Sequence, residues 1–191
     1  MVTKVKSRWV DGDLVFYDSS ENKVDQVARL LATEAGAGVT GGAGTVYKSA
    51  VSREGGIIKT SILIDITDLQ SSTTDLDIIG QGSSAAHIGQ ITAAQNGTIL
   101  AVRMTCLEVP ATGADDIDLY AATVGTGVFD DGIAALTETA LITSGGAWAS
   151  GTVKGSTDVP AANTYLYLVN GEAAVVGTYT AGKFLIELFG Y

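Results

Sequence analysis

Apolar and polar residues alternate in short runs from residue 57 to the end of the chain, as they do in half-buried β-strands. The run at 57–66 places its isoleucines at 62, 64 and 66 on one face and Asp65 on the other. The final run, 183–189, alternates as regularly, with apolar residues on one face and Lys183 and Glu187 on the other. Both runs predict strands with one face in a core.

Eight runs of this kind are predicted as strands, over 57–66, 76–79, 87–91, 98–109, 117–120, 139–142, 165–169 and 183–189. Eight strands suit a two-sheet jelly roll, and a lipocalin-like barrel is the competing eight-stranded fold. Irregular spacing and a long connection at 143–163 favour the sandwich. The sequence therefore predicts an all-β fold, a jelly-roll-like two-sheet β-sandwich of about eight strands, preceded by an N-terminal arm with a hairpin and a short helix.

The arm is predicted from two local patterns. Trp9-Val10 and residues 14–17 flank Asp11-Gly12, a dipeptide typical of tight hairpin turns. Over 23–35 a short helix is predicted, ending at Gly36, because apolar residues recur at helical spacing: Val24, Val27, Leu30 and Leu31.

A glycine-rich stretch and a change in charge suggest where the arm ends. Five glycines lie within 36–44, a density that predicts a flexible linker. Residues 1–59 hold 8 basic and 7 acidic residues, whereas 60–191 hold 3 basic and 14 acidic. The predicted domains are therefore an arm and linker over 1–55 and a β-sandwich body over 56–191.

Composition excludes several classes of function. With 191 residues and a net charge of −10, the chain would repel phosphate backbones, so no nucleic-acid partner is expected. One cysteine and one histidine exclude a disulfide framework and a multi-cysteine zinc site. No signal peptide or membrane-length apolar run is visible, so a soluble protein without a membrane partner or cofactor is expected.

Clustered carboxylates are the best lead to chemistry. Asp115, Asp116 and Asp118 precede or enter one predicted strand, and calcium prefers such oxygen ligands. The competing interpretation is a solvated acidic rim. His87 is interpreted as structural because no serine-hydrolase elbow surrounds it, and Cys106 as a buried thiol. No catalytic residue, and no enzyme, is predicted.

Trp148 is the candidate ligand-binding residue. It lies in a loop of small residues, SGGAWASG at 144–151, which predicts an exposed indole. Such an indole could stack on a sugar, while packing in the core or at a subunit interface is the alternative.

Four stretches resemble small structural proteins of tailed bacteriophages, notably marine and cyanobacterial phages. They are SRWVDGDLVFYD at 7–18, IGQITAAQNGT at 88–98, TCLEVP at 105–110 and YTAGKFLIELFG at 179–190. None is a catalytic motif. The resemblance implies a virion protein, and its jelly-roll members sit on capsids as decoration or cement proteins, often as homotrimers.

The resemblance and the arm together predict a protein on the capsid exterior whose partner is the phage major capsid protein or another virion protein. The residues expected to dock are the large apolar ones of the arm: Trp9, Phe16, Tyr17, Leu30 and Leu31. A head-fibre, neck or tail attachment protein is one alternative. A carbohydrate- or calcium-binding module is the other.

Overall fold

A computed structural model of the chain describes residues 6–10, 13–17, 23–26, 33–172 and 175–191. The fold is all-β, with 47% of residues in strands and several antiparallel sheets, as the sequence predicts. The chain divides into two compact units, Met1–Leu31 and Ala32–Tyr191. Within the described residues, no helix has the length and apolar character needed to cross a membrane.

The first unit contains a three-stranded antiparallel sheet in the order β1-β2-β3. Its strands are β1, Lys6–Val10, β2, Asp13–Tyr17, and β3, Lys23–Gln26. The predicted hairpin is confirmed, with Trp9 opposite Leu14, while its turn at residues 11 and 12 lies outside the described residues.

The helix predicted over 23–35 is wrong at its start, because residues 23–26 pair with β2. In this segment, KVDQ, only Val24 is apolar, so the segment itself has no clear periodicity of either kind, and antiparallel pairing satisfies its backbone. Residues 27–32 of the predicted helix lie outside the described part of the chain.

The second unit contains the remaining strands. They are β4, Val46–Glu54; β5, Ile57–Asp65; β6, Gln70–Ser71; β7, Gly89–Ile91; β8, Ile99–Ala111; β9, Ile117–Ala122; β10, Glu138–Ile142; β11, Val153–Ser156; β12, Thr164–Asn170; β13, Gly177–Thr178; and β14, Ala181–Gly190. Its helical segments are α1, Ala37–Thr40, α2, Ala93–Asn96, and a 3₁₀ helix, Ile133–Leu136.

Two antiparallel sheets form the layers of this unit. One has five strands in the order β11-β8-β14-β5-β4, and the other has four in the order β10-β9-β12-β7. Strands β6 and β13 form a separate two-stranded sheet. The last strand, β14, lies at the centre of the five-stranded sheet, between β8 and β5.

A single apolar core lies between the two larger sheets. From the five-stranded sheet it takes Ile62, Met104 and Phe184, and from the four-stranded sheet Leu119 and Leu166. All five are buried, and in β5 the buried residues alternate with half-buried ones, as in a strand with one face in a core. The second unit is therefore a β-sandwich.

The glycine-rich stretch is not the flexible linker predicted from its composition. Gly36 donates its backbone N–H to the carbonyl of His87, and Gly38 donates to Ala85, each at 2.8 Å. A β-carbon added to Gly36 would lie 2.1 Å from the Ala85 carbonyl oxygen. These glycines permit close backbone packing, and the structure divides at residues 31 and 32, whereas the predicted boundary is near 55.

Two further predictions need correction. Residues 76–79 form isolated bridges, Asp77 to Gly132 and Ile78 to Val169, rather than a full strand. The long connection predicted at 143–163 contains a strand that the sequence analysis does not predict, β11, which pairs with β8 at the edge of the five-stranded sheet. The sequence of β11, VKGS, has a single apolar side chain and so gives little indication of a strand.

Candidate functional site

The three candidate calcium ligands lie at the start of β9. Asp116 and Asp118 are buried, with 7% and 5% exposed, and Asp115 is half-buried. Asp118 Oδ1 accepts the backbone N–H of Ser144, which anchors the loop that follows β10. Burial raises the pKa of Asp118, and the charges of Asp116 and Asp75 add to the rise although the Ser144 N–H opposes it.

The structure does not assemble these carboxylates into a metal centre. Asp115 faces Glu172, and burial together with that second carboxylate raises the Asp115 pKa. Nowhere in the described residues do three or more His, Cys, Asp or Glu side chains lie where they could hold a metal ion. The predicted calcium site is therefore corrected, since Asp118 holds the backbone of Ser144 and Asp115 faces a second carboxylate.

Trp148 is buried, not exposed as its loop predicts. Only 2% of it is accessible, and its indole Nε1 donates to the Ile117 carbonyl at 2.8 Å. Its ring meets Phe184 edge-on at 5.5 Å between centroids, and Lys154 Nζ lies 4.9 Å from the ring centroid. The small residues around it let the loop fold over the core, so the indole does not offer a platform for a sugar.

His87 is half-buried and Cys106 is buried in the body. His87 lies against Tyr165, with 5.1 Å between ring centroids, and burial lowers the His87 pKa. Cys106 is fully buried in β8, and burial raises the pKa of its thiol. A thiol held protonated in this way is a poor nucleophile. These positions agree with the structural interpretation of both residues.

The predicted docking residues fall in the first unit. Trp9 is in β1, and Phe16 and Tyr17 are in β2, opposite Ser7 and Lys6. Leu30 and Leu31 lie outside the described residues. Three of the five residues are therefore placed in paired strands of one small sheet.

The face of the five-stranded sheet that points away from the core carries the most distinctive polar arrangement in the body. We call it the outer face. At its centre, Glu187 has only 3% of its side chain exposed, yet it belongs to the solvent side of β14. Lys59 Nζ lies 2.5 Å from one of its carboxylate oxygens, and Arg103 Nε donates to the other at 2.8 Å.

This ion triad keeps Glu187 charged. Burial alone would raise the pKa of Glu187, but hydrogen bonds and charge from Lys59 and Arg103 outweigh burial and hold it below its ordinary value. Arg103 also lies over the Phe189 ring, 5.6 Å from its centroid. A second bridge on the same face joins Lys183 to Asp65 and to Glu108, at 3.1 and 3.2 Å.

Apolar side chains surround these ion pairs. A row across the outer face runs from Val153 on β11 through Thr105, Leu185 and Leu63 to Lys48 on β4. Val153 is 54% exposed, and the two leucines are half-buried. The alternation of 183–189 predicts which residues face outward, but it does not predict that Glu187 is buried there by its partners.

Charge is divided unevenly over the described body, residues 33–172 and 175–191. All six of its basic residues lie on the strands of the five-stranded sheet, together with four acidic residues. The other twelve acidic residues of the body lie outside these strands, with no basic residue among them. The five-stranded sheet is thus close to neutral, and the rest of the body is uniformly acidic.

Comparisons of the chain with family models, with curated proteins and with solved structures give no match.

Proposed function

We propose that this chain is a non-enzymatic structural protein of a tailed-phage virion, and specifically a capsid decoration or cement protein. The supporting observation is its division into a small sheet that carries Trp9, Phe16 and Tyr17 and a separate acidic sandwich. Residues 1–31 hold five basic and five acidic residues, so a neutral aromatic unit precedes a body of net charge −10. A neutral aromatic unit is suited to docking, and an acidic body to facing solvent.

The residues that sequence analysis put forward for chemistry have structural roles in the body. Asp118 anchors a loop, Trp148 fills the core and Cys106 is a buried thiol. These roles favour a scaffold over a catalyst. We further propose that the two-sheet body is a variant of the jelly roll, in keeping with the resemblance to phage decoration proteins.

In this role the protein would sit on the capsid exterior and bridge subunits of the major capsid protein. A protein that binds the assembled shell, and not its dissociated subunits, stabilises the shell by mass action. Copies of the chain would also associate with one another, as the resemblance implies.

The test is co-sedimentation of the purified chain with phage particles from which it has been stripped. High-copy binding that raises the temperature of DNA release supports the decoration role. The control is Trp9→Ala/Phe16→Ala, which should weaken binding while the far-ultraviolet circular dichroism of the body stays unchanged. Binding at a few copies per particle would instead indicate a vertex, neck or tail protein, and no binding would refute the proposal.

A further inference from the structure

The outer face is the part of the body where two copies of this chain can meet at least electrostatic cost. Its described ionic side chains are Lys48, Lys59, Arg103 and Lys183 against Asp65, Glu108 and Glu187. The twelve acidic residues outside the five strands have no basic residue among them. Two acidic faces of a −10 chain repel each other, whereas two nearly neutral faces do not.

Exposed apolar residues are concentrated on the same sheet. Nine large hydrophobic residues are exposed among the residues whose side chains are described, and six of them lie on its strands. The six are Val46, Ile57, Leu100, Leu107, Val109 and Val153. Val46 and Val153 lie opposite the outward-facing Asp65 and Thr105. Half-buried Leu63, Leu185 and Phe189 lie on the outer face as well. Apolar residues at this density favour association.

Six of the seven described charges on this face form ion pairs within one copy, and the seventh, Lys48, lies on the edge strand β4. Glu187 already has two cationic partners, and Lys183 lies between Asp65 and Glu108. Burying a charge is costly mainly when it has no partner. An interface over this face would therefore cover ion pairs that are complete within each copy.

The area of the face is close to that of a standard interface. Five strands about 4.8 Å apart, with nine residues rising about 3.3 Å each, span roughly 24 by 30 Å, or about 700 Å² per copy. A standard stable interface buries about 800 Å² per partner. Sheets also pack face to face readily, since alternate side chains interdigitate.

We propose that the outer face of the five-stranded sheet is a two-fold homodimer interface, with a second copy of this chain as its occupant. The same patch serves both copies in such a contact, so neutrality and apolar character on one patch are enough. The proposal does not depend on the virion role. It implies a dimer, whereas the resemblance to phage decoration proteins implies a trimer, so the measured mass separates the two.

The test is the mass of the full-length chain by size-exclusion chromatography with light scattering, over a concentration series. Wild type should have twice the 19.5 kDa mass of one chain. Val153→Asp should raise the dimer dissociation constant at least about tenfold, because the two-fold axis brings two new carboxylates into one apolar interface. Leu107→Asp, on the neighbouring strand β8, should do the same.

The matched control is Val176→Asp. Val176 is 60% exposed, close to the 54% of Val153, but it lies outside the five strands. This variant should remain a dimer, and circular dichroism should confirm that all three variants are folded. Raising sodium chloride from about 0.05 to 0.5 M should maintain or strengthen the dimer, since screening relieves repulsion between two acidic bodies.

A monomeric or trimeric wild type would overturn the proposal. So would equal effects of Val153→Asp and Val176→Asp, or no effect of Val153→Asp. Dissociation of the dimer by salt would also contradict it, because that result would assign the contact to attraction between opposite charges rather than to this neutral face.

Discussion

The indole of Trp148 donates its N–H to the main-chain carbonyl of Ile117, 2.8 Å away, and so ties the loop after β10 to the first residue of β9. The same ring meets Phe184 of β14 edge-on. One side chain therefore connects a loop of small residues to both sheets of the sandwich.

Replacing Trp148 should show how much of that connection is packing and how much is hydrogen bonding. Trp148→Ala should lower the free energy of unfolding by about 3–5 kcal/mol, as expected for a large aromatic removed from a core. Trp148→Phe keeps a ring but leaves the Ile117 carbonyl without its donor, so it should cost about 1–3 kcal/mol. Urea unfolding followed by tyrosine fluorescence measures both. Equal stability of wild type and Trp148→Ala would contradict the buried position.

A second prediction concerns the packed glycines. Gly36→Ala should destabilise the body by about 2 kcal/mol or more, because the new methyl group would lie 2.1 Å from the Ala85 carbonyl oxygen and force the backbone apart. In a flexible linker the same change would be neutral or slightly stabilising, since alanine restricts the unfolded chain.

Gly155→Ala is the matched control for Gly36→Ala. A β-carbon at Gly155 would have no neighbour closer than the Val102 carbonyl oxygen at 3.6 Å, so this change should leave the free energy of unfolding within about 0.5 kcal/mol of wild type. If both variants matched wild type, residues 36–44 would be a linker after all.

The sequence predicts some strands of the body and misses others. Strong alternation predicts β5 and β14, because a half-buried strand must place its apolar residues on one face. Strand β4, with the sequence VYKSAVSRE, is missed because it is an edge strand of its sheet and much of it is polar. Edge strands need little apolar surface, so their pattern is weak.

The same limit applies to the candidate site residues. A loop of small residues predicts exposure at Trp148, yet small neighbours also allow a close approach to the core. Three nearby aspartates suggest a metal site, but only tertiary contacts show that the Asp118 carboxylate accepts a hydrogen bond from the Ser144 N–H. Local sequence gives residue type and spacing. The burial of Trp148 and the hydrogen bond of Asp118 depend instead on which distant segments pack against these residues.

The third prediction uses His87 as a probe of burial. Its pKa is lowered from 6.5 by burial against Tyr165, so below about pH 6.5 the unfolded chain takes up a proton before the folded chain does. The free energy of unfolding should therefore be unaffected above that pH and fall as pH is lowered from 6.5, by at most about 1.4 kcal/mol per pH unit for one proton.

Urea titrations at several pH values between 7.5 and 5 test this dependence. His87→Phe keeps a ring beside Tyr165 but cannot titrate, so its stability should stay flatter over that range. A wild-type curve that does not differ from the His87→Phe curve would show that the imidazole is solvated in the folded protein.

The fourth prediction concerns Glu187, whose contribution to the free energy of unfolding changes at lower pH than that of His87. Lys59 and Arg103 hold its folded pKa below the ordinary 4.5, so its stabilising contribution is complete above about pH 4.5 and is lost as pH falls through the folded value. Glu187→Gln should cost about 1–2 kcal/mol at pH 7, because both cations lose their counter-charge while remaining 40% and 47% exposed to water. The cost should shrink as pH falls through the folded pKa of Glu187, because the wild-type carboxylate then becomes protonated as well. Glu108→Gln is the control, since that carboxylate is 49% exposed beside Lys183 and should matter by less than about 0.5 kcal/mol. Thermal melts of the three proteins across this range should separate the buried ion triad from a surface ion pair, and identical curves for Glu187→Gln and Glu108→Gln would show that no such triad stabilises the sheet.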